Sequence, residues 1–143
     1  MGRVELVNTE GLRAAVGFSH VALAADTAWI SGQLATDAQG EIESPGDIAA
    51  QAGAVFRNLA AALESVGCDP SDVIRMTYYV TDIGAYRSAG TVIGRRFEQV
   101  FGEHRPAATV VGVTELIHSE AMLQVDCTAR APEQRQRKRN GKK

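Results

Sequence analysis

Three histidines (His20, His104 and His118) and two cysteines (Cys68 and Cys127) are the side chains of this 143-residue chain from which acid-base, nucleophilic or metal chemistry would most simply be assembled. Their spacing assembles none of it. No Cys-x-x-Cys or Cys/His cluster has the spacing of metal ligands, and no Ser/His/Asp arrangement joins Ser31 to a histidine. Cys68 has no neighbouring base to make it a nucleophile. Cys127 alternates with Leu123 and Val125, as a small core residue would. His20, just after Phe18-Ser19, is the candidate acid or base, although a lone histidine beside a strand is more often structural. Arg105, next to Pro106, reads as a solvated loop cation, and Glu115 and Glu120 read as surface carboxylates. Cleavage of RNA would call for paired His or Lys groups on a basic surface. Residues 1–132 offer the opposite: nine basic residues, all arginine, against 16 acidic ones.

Every lysine lies in the last eleven residues, Glu133 to Lys143, which hold six basic residues and one acidic residue. A segment so charged and so poor in apolar residues cannot bury a core and is expected to be a disordered tail on a single domain of residues 1–132. A nucleic-acid contact is one reading of the tail. A solubilising extension is the simpler one, because no aromatic residue is interleaved to stack on bases. With 45% apolar and 22% charged residues, the composition is that of a globular protein. No segment approaches the ~18 apolar residues of a membrane span or looks like a signal peptide. Two cysteines are too few for a disulfide framework, so a soluble, cytoplasmic protein is expected.

The elements that must position these side chains follow from hydrophobic periodicity. Val4 and Leu6 alternate with polar residues in a short first strand, and stretches 20–24 and 27–31 flank Ala25-Asp26 as a hairpin. Ser44-Pro45-Gly46-Asp47 predicts a helix start with Ser44 as N-cap and Pro45 at N1. Ile48, Ala52, Val55, Leu59, Leu63 and Val66 then form one apolar stripe, which Gly67 ends. Stretch 73–80 reads as a strand with Ile74, Met76, Tyr78 and Val80 on one apolar face. Tyr86, Ala89, Ile93, Phe97 and Val100 predict a second helix over 84–101. Stretches 109–113 and 121–129 are two further strands, giving the order βββαβαββ. Two helices cannot cover both faces of such a sheet. If both lie on one face, the other needs a partner, most simply another copy of the chain.

The run Ser31-Gly32-Gln33, Asp37, Gly40, Gly46-Asp47, Gln51, Asn58-Leu59, Gly67, Asp72-Val73 and Val80-Thr81-Asp82 resembles the RidA/YjgF family, also known as endoribonuclease L-PSP. The resemblance covers about residues 15–130. It implies a chorismate-mutase-like α+β fold, a six-stranded mixed sheet with two helices on one face, and a homotrimer with small-molecule clefts between its subunits. It further implies hydrolysis of reactive enamines or imines such as 2-iminopropionate, with no metal or organic cofactor.

The family chemistry uses an arginine in a Pro-Ala-Arg-Ser/Thr stretch to hold the substrate carboxylate, and a late-strand glutamate to place water. This chain reads Pro106-Ala107-Ala108-Thr109, so Ala108 stands where the resemblance puts that arginine. Gln124 falls at the glutamate, Phe18 at a tyrosine before the first hairpin, and Gly90 at an asparagine of the second helix. Ser31, Gly32 and Thr109 are retained as cleft residues. A charge-assisted arginine–carboxylate contact contributes about 1.5–3 kcal/mol, so standard 2-imino acid hydrolysis is expected to be weak or absent. Two readings follow: a deaminase of another enamine or imine, oriented by Gln124, Thr109 and the Ser31-Gly32 backbone with His20 as a possible acid or base, or a non-catalytic trimer that binds a metabolite in the same clefts.

Overall fold

A computed structural model describes residues 3–132; the basic tail lies outside the described residues. The chain forms β1 (Glu5–Val7), β2 (Val21–Ala24), β3 (Thr27–Gln33), α1 (Ile48–Ser65), β4 (Val73–Val80), α2 (Ile83–Ser88), α3 (Gly90–Phe101), β5 (Ala107–Gly112) and β6 (Leu123–Arg130). The strands make one mixed sheet in the order β1-β2-β3-β6-β4-β5. Its pairings are antiparallel except between β4 and β5, which run parallel because a helical crossover joins them.

The core forms where the α1 stripe meets one sheet face. Val55, Phe56, Leu59 and Leu63 are buried there with Leu23, Ile30, Met76, Leu123 and Val125. Along β6 the buried Leu123, Val125, Cys127 and Ala129 alternate with the partly exposed Gln124, Asp126 and Thr128, so the helices cover one face and the other stays open. The open face carries exposed Leu6 and Trp29, the latter 47% exposed. None of the described helices is long and apolar enough to cross a membrane.

Four local expectations need correction. The N-cap of α1 is Asp47, whose carboxylate accepts from the Ala50 amide at 3.1 Å. Ser44, Pro45 and Gly46 instead make a turn, with Gly46 at φ 82° and the Asp47 amide donating to the Ser44 carbonyl at 3.2 Å. Pro before a glycine at positive φ is what a type II turn requires, and that chemistry outcompetes a proline at N1. In β4, a bulge between Val73 and Arg75 turns Ile74 outward to 53% exposure and puts Val73 in the core. The second helix is two: Asp82 caps α2, and the chain breaks at Ala89, between the weak helix formers Ser88 and Gly90. The fifth strand begins at Ala107 and the last at Leu123, each two residues from the expected start.

Candidate functional site

The loop before β2 carries Phe18, and His20 anchors it. His20 is 3% exposed; its Nδ1 accepts from the Thr9 amide at 2.9 Å and its Nε2 donates to the Arg13 carbonyl at 2.8 Å. Both ring nitrogens are thus used on backbone, which fixes the Nε2–H tautomer and makes the ring a strut. The candidate acid or base is a structural residue. Arg13 in turn lies over the Phe18 ring, 5.0 Å from its centroid.

Phe18, Ser31 and Gly32 line one hollow of about 550 Å³ on the helix-free side of the sheet, together with Trp29, Asp126 and Thr128. The Ser31 hydroxyl donates to the Ser19 carbonyl at 2.6 Å, and its amide donates to the His20 carbonyl at 2.9 Å, so the serine is tied to the Phe18 loop. Gly32 matters for a different reason. A Cβ built on it would collide with the Gln124 side chain, so the glycine is what lets Gln124 lie across β3. Register then sets out the rest of this face in rows: Gln124 opposite Tyr79, Asp126 opposite Thr77, and Thr77 opposite Thr109. Tyr79 donates to Asp126 at 2.9 Å, and this bond to an anion is the main cause that raises the phenol's pKa. Thr109 accepts from the Arg75 guanidinium at 2.5 Å.

Gly90 and Ala108 lie elsewhere. They line a second hollow, of about 270 Å³, on the helix side of the sheet, with Phe56, Tyr78, Tyr86 and Phe97 around it and Arg105 at its rim. Neighbours in sequence, Ala108 and Thr109 therefore face opposite sides of β5. Arg105 is not a free cation: its guanidinium pairs with Glu98 at 3.1 Å, donates to the Gly102 carbonyl at 2.7 Å and sits 5.3 Å above the Phe97 ring. Tyr78 is 6% exposed, and among the described residues its hydroxyl reaches only the Met76 sulfur, at 3.9 Å, a weak acceptor. Burial pushes its pKa well up. Burial likewise raises the Cys127 thiol to about 12 and leaves it unreactive.

One chain thus collects Phe18, Ser31 and Gly32 around one hollow, with Gln124 lying against Gly32, and Gly90 and Ala108 around another, while Thr109, expected as a cleft residue, lines neither. Two buried amides that sequence reasoning left without a role hold the frame. Gln51 Nε2 donates to the Ser44 and Glu120 carbonyls at 3.3 and 3.1 Å, while its Oε1 accepts from the Met122 amide at 2.8 Å. Asn58 donates to the Leu34 and Thr36 carbonyls, both at 3.0 Å. Their signal was present in the sequence: polar residues seven apart on an otherwise buried helix face.

The endoribonuclease L-PSP family model matches residues 9–131. The chain belongs to this family. A RutC family protein of Pyrococcus horikoshii is 31% identical to it over 127 residues, spanning 87% of this chain and 96% of that protein. A 2-iminobutanoate/2-iminopropanoate deaminase of Bos taurus is 31% identical over 99 residues, covering 68% and 72% of the two chains. Among solved structures, the YjgF gene product of E. coli superposes with a TM-score of 0.76 at 26% identity, over 90% of this chain and 99% of that one. Membership of the L-PSP (RidA/YjgF) family and its α+β fold are therefore those implied by the motif run from Ser31 to Asp82, and a RidA-like role follows from the relatives.

Proposed function

We propose that this chain is a RidA-type deaminase of a reactive enamine or imine that lacks the carboxylate of the standard 2-imino acids, working as a homotrimer whose clefts lie between subunits. The observation that carries this reading is the chemistry around Ala108. Where the resemblance puts a carboxylate-binding arginine, the hollow is walled by aromatic rings, and the guanidinium at its rim is held by Glu98. The separation of the two hollows supports assembly. If Phe18, Ser31, Gly32 and Gln124 act on the same ligand as Gly90 and Ala108, two copies must supply them. Exposed Leu6 and Trp29 would be covered in the same step.

In the reaction, water adds to the C=N carbon, the tetrahedral adduct expels ammonia, and a carbonyl compound remains. The Gln124 amide and the Ser31-Gly32 backbone orient water and imine by hydrogen bonds. An amide does not titrate, so proton transfers pass through solvent or the departing amine. Because His20 is occupied on both nitrogens, a non-catalytic trimer that binds a metabolite in these clefts is the second reading.

The test is hydrolysis of 2-iminopropionate generated by an amino-acid oxidase, followed with the wild type and with an Ala108→Arg, Gln124→Glu double variant. The expectation is little acceleration by the wild type and a gain of about 10- to 100-fold in the variant, the worth of a charge-assisted contact. Wild-type turnover equal to that of the Bos taurus deaminase would refute the altered site. Sizing in solution tests the trimer, and a stable monomer would refute the shared cleft.

A further inference from the structure

We propose that the hollow between α3 and strands β4 and β5 is a receptor for an uncharged aromatic ligand group carrying one hydrogen-bond acceptor, which the Tyr78 hydroxyl binds. The inference deepens the reading above, since Gly90 and Ala108 form part of the lining, but it concerns binding and not turnover. Four observations converge on it.

First, the space is of the right size. A dry apolar cavity of ~150 Å³ already takes benzene, and this hollow, open on one side, holds about 270 Å³. Second, its walls are rings already arranged edge to face, as aromatic pairs prefer. Phe56 meets Phe97 at 5.5 Å and 88°, and Tyr78 meets Tyr86 at 6.3 Å and 68°. A planar guest continues that pattern. Third, Tyr78 lines the space while more than nine-tenths buried, and among the described residues its hydroxyl makes one hydrogen-bond contact, the 3.9 Å approach to Met76 sulfur. A buried O–H so poorly matched is a donor that a carbonyl or imine nitrogen on a guest would satisfy. Fourth, the charge at the rim is balanced: Arg105 is paired with Glu98. An anionic guest would meet a guanidinium whose charge Glu98 already offsets and would bring its own charge next to that carboxylate, whereas a neutral one would not.

The probes are acetophenone (uncharged, with one acceptor), toluene (the same ring without an acceptor) and benzoate (the anion). Binding is read on the full-length protein from the ¹³C-methyl shift of Met76, which lies in the wall. Acetophenone is expected to shift it saturably, with toluene and benzoate each several-fold weaker or more. Tyr78→Phe removes only the hydroxyl and should weaken acetophenone by about 2- to 10-fold, the worth of one hydrogen bond, leaving toluene unaffected. Gly94→Leu fills the hollow from α3, where a Cβ meets no atom within 4 Å, and should abolish binding of both while the fold persists. The proposal is overturned if acetophenone gives no saturable shift, if toluene or benzoate binds as tightly, or if Gly94→Leu binds acetophenone like the wild type. The readout needs no turnover. Binding without hydrolysis of any imine would therefore refute the deaminase reading alone, and hydrolysis without binding here would refute this inference alone.

Discussion

Replacing Gln51 by methionine should cost far more than its near-equal volume suggests. The side chain is fully buried, and its amide joins the turn before α1 to the segment that leads into β6. Methionine fills the space but makes none of the three hydrogen bonds. The Ser44 carbonyl keeps a donor in the Asp47 amide, so the groups that lose this partner are the Met122 amide and the Glu120 carbonyl. Leaving a buried backbone group unsatisfied costs ~1–3 kcal/mol; both of these bonds are part-buried, which puts the pair toward the low end, at about 2 kcal/mol, still a substantial share of the ~5–15 kcal/mol of a whole domain. In a chain of this size that lowers Tm by roughly 6 °C. The measurement is urea unfolding followed by far-UV circular dichroism, with protein concentration held fixed so that association does not shift the midpoint. A drop in midpoint at unchanged slope is expected. Because Met122 precedes Gln124 by two residues, the variant should also loosen the Gln124 contact over Gly32. A loss under about 1 kcal/mol would refute the reasoning, since it would mean that water or relaxation satisfies both groups.

Asp47→Ala should destabilise by ~1 kcal/mol in the same assay, whereas Ser44→Ala, at a turn position and not a cap, should not remove the α1 cap; equal effects would contradict the cap assignment. Stability should fall as pH rises above the ordinary tyrosine value of 10.0. A phenol whose folded pKa is raised stabilises fully below its unfolded pKa and loses that contribution as pH climbs through the folded one. The phenolate absorbance of Tyr78 should therefore appear only together with unfolding, and Tyr78→Phe should flatten the alkaline limb. Ionisation of all three tyrosines in the folded state would count against it. Iodoacetamide at pH 8.5 should label Cys127 only slowly in the native protein and rapidly in urea, because burial raises its folded pKa to about 12; rapid native labelling would show the strand open.

The order of elements was legible because most of the buried stripe on α1, the alternation along β6 and the stop at Gly67 each follow from local period or local φ. The departures come from competition that local patterns do not resolve. Ser44-Pro45-Gly46 satisfies both a helix start and a type II turn, and the glycine at i+2 decides for the turn. Ile74 shifts face because a bulge against β6 inserts one residue, a property of the pairing and not of either strand alone. In the candidate site, Ser31-Gly32 and Ala108 could be placed against the family pattern by motif, yet no motif says that Ala108 and Thr109 point to opposite sides of a strand. That follows from period two once β5 is known to pair parallel with β4 at Thr77 and Thr109. His20 looked chemical by its position in the chain, and only its two backbone partners show that it is a strut.

The placement of β5 has a consequence for how the chain must be made. It is a six-residue strand at the end of the sheet, formed late in the chain and joined in parallel, with exposed Val110 and Val111 and neither lysine nor proline within it. The opposite edge is a three-residue strand, too short to template much. A bare edge of this kind recruits other chains unless it is covered. If the chain assembles as proposed and that edge is covered in the assembly, the lone, newly folded copy is its most vulnerable species, and the yield of refolding should depend on how quickly the edge finds its cover relative to the next unfolded chain.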